Sequence, residues 1–226
     1  MNPSLPLFPL NTVLVPGLVL PLHIFEPRYR GLVKELLAME DEESREFGIV
    51  ATKDGSSIER DGINALHRIG TATVLRQSEE TPDGRFDIVT TGSRRFYIES
   101  LDTSAPLLRA HVRWISDLAE PVTPELERLT QLAVADFVSY RAALSGQLDE
   151  AIASINDMPD DPSVVSYLLT AAIVVPTAER QEMLSAMSPH ERLTIARRLL
   201  HRETALISAL HSIPAVDLFN QTPSAN

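Results

Sequence analysis

Lys53-Asp54-Gly55-Ser56-Ser57 sets a lysine beside two serines, and a serine activated by a lysine amine is a working hydrolytic arrangement. Both residue types fall in one short turn with no partner elsewhere in the chain, so the stretch reads as a turn. A cryptic hydrolase using Ser56 is kept as a subsidiary reading. His23 and Glu26 have a ligand-like spacing. The segment next to Pro27 looks extended, however, and a three-residue step along a strand sends side chains to opposite faces. His190, His201 and His211 are spaced by 11 and 10 residues on a helical pattern, nearly three turns apart and too far to share one ion. Glu40 to Glu43 reads as a loop of solvated carboxylates. Arg192, Arg197, Arg198 and Arg202 form a basic stripe, expected to be a solvated face paired with Glu191 and Glu203. A nucleotide loop needs closely spaced glycines and a lysine to reach the phosphates. With nine glycines, two lysines and neither such pattern, ATP hydrolysis is not expected. No catalytic, metal or cofactor-binding residue is assigned, and no cofactor is called for.

The charge balance narrows the partners. Residues 1–120 carry 13 basic and 18 acidic side chains and residues 121–226 carry 7 and 13, for a net charge of -11. Binding to nucleic acid draws on clustered Lys and Arg that release counterions, and no such cluster is present. The chain contains no cysteine, which removes disulfides, thiolate nucleophiles and Cys-ligated zinc together. The longest apolar run, Leu168 to Val175, is well short of the ~20 residues of a bilayer span. The N-terminus lacks a charged leader, and prolines 6, 9, 16 and 21 interrupt its apolar stretch. The expectation is a cytoplasmic protein that binds neither nucleic acid nor membrane.

The elements that would position a site divide into two kinds. Residues 5–10 and 12–25 read as proline-cut strands, and Pro27 opens a helix over about 27–40 through Tyr29, Leu32, Val33 and Leu36. Further strands are expected at 47–51, 65–76, 86–91, 95–100 and 107–115. Pro82-Asp83-Gly84 marks a hairpin and Gly92-Ser93 a second turn. From Pro124 the periodicity becomes helical. Thr123, Asp161 and Ser188 stand at cap positions, each followed by proline, and Ser188 to Glu191 has the spacing of a capping box. About four one-sided helices must pack together to be stable. The expected fold is α+β: a curled sheet or small β-barrel with one packed helix over 1–118, a helical bundle over 122–213, and a frayed tail at 214–226.

The segment Leu5-Pro6-Leu7-Phe8-Pro9-Leu10-Asn11-Thr12-Val13-Leu14-Val15-Pro16-Gly17, continued by Leu20-Pro21-Leu22-His23-Ile24-Phe25-Glu26-Pro27-Arg28-Tyr29-Arg30, resembles the opening of the Lon protease N-terminal, substrate-binding domain. Ile69-Gly70-Thr71, Asp83-Gly84-Arg85 and Gly92 to Phe96 resemble its later strands. Asp161-Pro162-Ser163, Glu179 to Leu184 and Glu191-Arg192-Leu193 resemble the helical bundle that follows. The resemblance implies a PUA-like β-domain followed by a bundle. It also implies a stand-alone, non-catalytic form, because the chain stops where an ATPase and a Ser-Lys peptidase would begin.

The function so implied is binding of unfolded or exposed polypeptide, as an adaptor or holdase, alone or beside a protease or chaperone. A peptide would add to a sheet edge or lie between the β-domain and the bundle. Leu14, Leu20, Leu22 and Phe25 are the candidate groove residues, with a place in the core as their other reading. Glu26, Arg28 and Arg30 are read as a structural clasp at the start of the helix. A monomer or weak homodimer is expected. The alternative from another class is a small-molecule or RNA-binding sensor, because PUA-like folds also serve such proteins.

Overall fold

The computed structural model describes residues 3–118, 120–145 and 158–211. Among the described residues six strands form one sheet: β1 (Ser4–Leu10), β2 (Val19–Ile24), β3 (Glu46–Ala51), β4 (Ile69–Glu80), β5 (Phe86–Asp102) and β6 (Arg109–Ile115). Their order is β2-β5-β4-β3-β1-β6, and a further β5–β6 pairing closes the last five strands into a barrel. All the pairings are antiparallel except β1 with β3. Strand β5 makes the closure possible. Its first half pairs with β2 and its second half with β6, while β4 runs along it.

Gly92-Ser93 does not turn the chain, contrary to the sequence expectation, and β5 continues through it. The glycine serves close approach instead. A Cβ there would lie 2.4 Å from the Val15 carbonyl oxygen, and Gly92 exchanges 2.9 Å backbone hydrogen bonds with Gly17 and Leu18. The expected strand over 12–25 is correspondingly confined to β2. Val13, Leu14 and Val15 are buried ahead of it, and the Leu14 carbonyl accepts from Thr71 Oγ1 at 2.6 Å.

The barrel interior holds Leu5, Leu7, Phe96, Ile98, Ala110 and Val112. Gly48 and Gly70 leave room for the Phe96 ring, since a Cβ at either would lie within 2.8 Å of it. A second apolar cluster gathers under α1 (Pro27–Leu37), where Tyr29, Leu32, Val33 and Leu36 meet Ile24, Phe47, Leu75 and Phe86. The helix stops at Leu37, short of the expected residue 40. The Arg45 guanidinium takes the Met39 carbonyl at 3.0 and 3.3 Å and leads the chain towards β3. A one-turn helix, α2 (Ile58–Asp61), precedes β4.

The remaining described elements are helices: α3 (Pro124–Ser145), α4 (Pro162–Ala172), α5 (Thr177–Ser185) and α6 (Pro189–His211). The caps work as the sequence suggests. Thr123 Oγ1 accepts from the Leu126 amide at 3.2 Å, and Asp161 Oδ1 accepts from Ser163 and Val164 at 2.8 and 3.2 Å. Ser188 Oγ accepts from the Glu191 amide at 3.2 Å, and Glu191 reaches back one residue further than a standard box, to the Met187 amide at 2.8 Å. Leu126, Phe137, Tyr140, Val165, Leu169, Leu193, Ala196 and Leu200 form the bundle core. The expected tail, 214–226, lies outside the described residues.

Candidate functional site

The barrel and the bundle meet at a charged hub. Arg95 on β5 and Arg192 on α6 are both fully buried, and both donate to Asp117, just past β6. Arg95 Nη2 lies 2.5 Å from Asp117 Oδ1 and Arg192 Nη2 lies 2.8 Å from the same oxygen. Ser163 Oγ and Tyr167 Oη on α4 complete the ring of donors at 3.3 to 3.4 Å. Burial pushes the Tyr167 hydroxyl above its ordinary range, which keeps it protonated and donating.

One carboxylate cannot neutralise two guanidiniums, and the remainder falls on the end of α5. Arg95 Nη1 bonds the Leu184 and Ala186 carbonyls at 2.7 and 2.6 Å, and Arg192 bonds those of Met183 and Ala186 at 3.2 and 3.1 Å. A helix C-terminus presents unsatisfied carbonyls and partial negative charge, so it completes the balance. Arg192 therefore leaves the solvated stripe in which the sequence placed it. It shares the inward face of α6 with Ala196 and Leu199, and its guanidinium stacks 3.8 Å from the Tyr167 ring centroid. Arg202 does pair with Glu203 and also with Glu179, while Arg197 and Arg198 pair with Asp136 and Glu182.

Directly beside this hub runs an apolar groove of about 270 Å³ with one wall from each half. The barrel wall is Val15-Pro16-Gly17-Leu18. Gly17 has φ +81°, and the Leu18 amide donates to the Val15 carbonyl at 3.2 Å, the geometry of a type II turn with Pro and Gly in the two central places. The bundle wall is α4, through Ser163, Val164, Tyr167, Leu168 and Ala171. Val164 and Leu168 stand one turn apart and are 45% and 41% exposed, although α4 buries Val165 and Leu169 on its other side. The hub holds these walls together, since Ser163 and Tyr167 line the groove and bond Asp117 as well.

The residues singled out from sequence fall elsewhere in part. Leu14 is buried in the cluster under α1, and Leu20 and Leu22 are half-buried against it. Phe25 is 61% exposed, with its ring 6.4 Å from that of His23. None of the four lines the groove, which the same proline-rich run reaches through Val15 to Leu18. Glu26 and Arg28 pair at 2.8 Å, and Arg30 lies over the β4–β5 hairpin, where a Cβ on Gly84 would be 2.6 Å from its Nη2. Sequence reasoning passed over Asp117, Val164 and Tyr167. The available signal was an i, i+4 apolar pair opposite the core face of α4.

Lys53 and Ser56 close a turn through their backbones at 3.1 Å. The neighbouring Ser57 hydroxyl donates to Glu59 at 2.6 Å and holds that carboxyl below its usual range, so the carboxylate makes a poor base. His23 bonds Asp87 at 2.6 Å and His201 bonds Asp136 at 2.9 Å. Among the described residues no group of three or more His, Cys, Asp or Glu is placed to hold a metal ion. No described helix is long and apolar enough to cross a membrane.

Among the described residues, a closed barrel is fastened to a helical bundle, with an apolar cleft along the seam. Residues 4–202 match the family model of the ATP-dependent protease La (LON) substrate-binding domain, and the chain belongs to that family. The Lon proteases of Elusimicrobium minutum and Escherichia coli K12 are 25% and 26% identical over 203 and 218 residues, 88% and 92% of this chain. The chain spans about a quarter of their length, 23% and 26%. The fold is also that of a Lon N-terminal domain protein from Xanthomonas campestris, with TM-score 0.60, 25% identity, and 85% and 95% of the two chains covered. The N-terminal domain of a Mycobacterium avium complex Lon protease shares it at TM-score 0.64 and 21% identity, over 90% of this chain and 98% of that one.

Proposed function

We propose that this chain binds unfolded or exposed polypeptide by seating apolar side chains in the groove between the Pro16-Gly17 turn and α4. The carrying observation is the pair Val164 and Leu168, which stay exposed on a helix whose other face is fully packed. The family's substrate-binding character supports the same reading. In the cell the chain would serve as a cytoplasmic adaptor or holdase, alone or beside a protease or chaperone, as a monomer or weak homodimer. Glu26, Arg28 and Arg30 would act as a clasp that fixes α1 to the β4–β5 hairpin. Phe25 would offer an outlying apolar contact.

Of the two binding routes, the groove has more support than strand addition. On β2, the Leu18 carbonyl points to Gly92, so by alternation Val19, Pro21 and His23 turn their backbones outward. Pro21 has no amide to donate at the middle of that free edge, which interrupts a ladder with an incoming strand.

Calorimetry or fluorescence polarisation with a reduced, unfolded model protein tests the proposal. Saturable binding is expected, weakened at least about tenfold in Leu168→Asp, because a charge would have to be desolvated in an apolar site. Phe25→Ser should cost less. A fold that is intact by circular dichroism but binds no unfolded protein would sink the proposal.

A further inference from the structure

The groove differs chemically at its two ends. From that polarity we infer that it prefers an extended segment carrying a Lys or Arg three or four residues from a bulky apolar side chain. This rests on the peptide-binding reading above and names the class of segment taken. The lining itself is uncharged: Val15, Pro16, Leu18, Val164, Leu168 and Ala171 make up its apolar surface.

At the N-terminal end of α4 stand Asp160 and Asp161, both exposed, with the Asp161 carboxylate against the amides of the groove residues Ser163 and Val164. Asp117, its side chain 19% exposed, lies just behind Ser163. The nearest cations at that end, Arg95 and Arg192, are fully buried and spent on Asp117 and the α5 carbonyls, so they present nothing to a ligand. The other end is apolar. Ala171 closes the lining and Val174 beyond it is 70% exposed. A cation on the ligand is thus attracted to one end only.

The spacing follows from helix and strand geometry. Ser163 to Ala171 covers about 12 Å at 1.5 Å per helical residue, which an extended chain crosses in three or four residues at ~3.4 Å each. A basic side chain near Asp161 therefore places a residue three or four positions away over Leu168 and Ala171, while Asp160, which also lines the cavity against α3, adds negative charge from one residue further on. Charge at the rim sets preference and encounter rate, while the apolar contact supplies most of the affinity.

Fluorescence polarisation with three labelled peptides tests this, each carrying one Phe and, four residues before it, Arg, Ser or Glu. The Arg peptide is expected to bind about three- to fivefold more tightly than the Glu peptide at low salt, the size of an exposed ion pair, and the difference should shrink as salt rises. The double variant Asp160→Asn, Asp161→Asn should abolish the difference while leaving α4 capped, because Asn caps as well as Asp. Equal binding of all three peptides would overturn the charge preference and leave the apolar groove standing. Binding by none of them would overturn the groove itself.

Discussion

Asp117 is the residue on which most of the structure converges, because it neutralises buried charge for both halves at once. Asp117→Asn keeps the shape but removes the counter-charge of two fully buried guanidiniums. Breaking a buried pair this way costs about 3 kcal/mol, to be read as a lower midpoint in urea unfolding. Arg192→Lys should also destabilise, since an ammonium can neither fork onto Asp117 nor stack flat on Tyr167. At Gly92 the expectation is different. Gly92→Ala forces a methyl group against the Val15 carbonyl and shifts the turn that forms the barrel wall, so peptide affinity should fall more than stability does. The hub was not legible in the sequence. Arg95 and Asp117 meet because β5 pairs with β6, with Arg95 opposite Ile115, and Arg192 joins them only when α6 of the bundle docks on the barrel. A basic stripe on a helix gives no sign that one of its members points inward, except that Arg192 shares a face with Ala196 and Leu199.

Among the elements, those with strong local signals were readable. Thr123, Asp161 and Ser188 cap helices where their types and the following prolines suggest, and the Pro82-Asp83-Gly84 hairpin joins β4 to β5. Ser188→Ala should cost about 1 kcal/mol in thermal unfolding, the usual worth of an N-cap. What failed was the reading of glycine as punctuation. Gly92 lies inside a 17-residue strand, where its missing side chain admits another backbone. The run 12–18 failed for the same reason, since it is placed by contacts with Thr71 and Gly92 and by no periodicity of its own. Helix α4 shows what periodicity does and does not reveal. Apolar spacing runs through Val165, Leu168, Leu169 and Ile173, yet Leu168 is 41% exposed while the others are buried, because an apolar residue looks the same in sequence whether it is covered or left open.

At the scale of the molecule, the resemblance in the proline-punctuated opening identified the family, whereas the seam between barrel and bundle needed coordinates. That seam should make the two halves unfold together. Trp114, the single tryptophan, sits on β6 and reports the barrel by fluorescence, while far-ultraviolet circular dichroism reports mainly the helices. Coincident thermal transitions are expected, and Asp117→Asn should separate them; two transitions in the unaltered protein would contradict a welded seam. The pairing of β1 bears on synthesis as well as on stability. This strand bonds β6 through Ser4 to Leu7 and β3 through Leu7 to Leu10, so one of its partners is made more than about a hundred residues later. While the chain emerges, β1 waits with an open edge, the condition in which strands recruit other chains. Pro6 and Pro9 lack the amides that a stacked, fibre-like assembly would need, and Pro9 turns its nitrogen to the side where β6 has already ended. Pro6 and Pro9 are thus expected to keep the unpaired β1 from seeding such an assembly during synthesis.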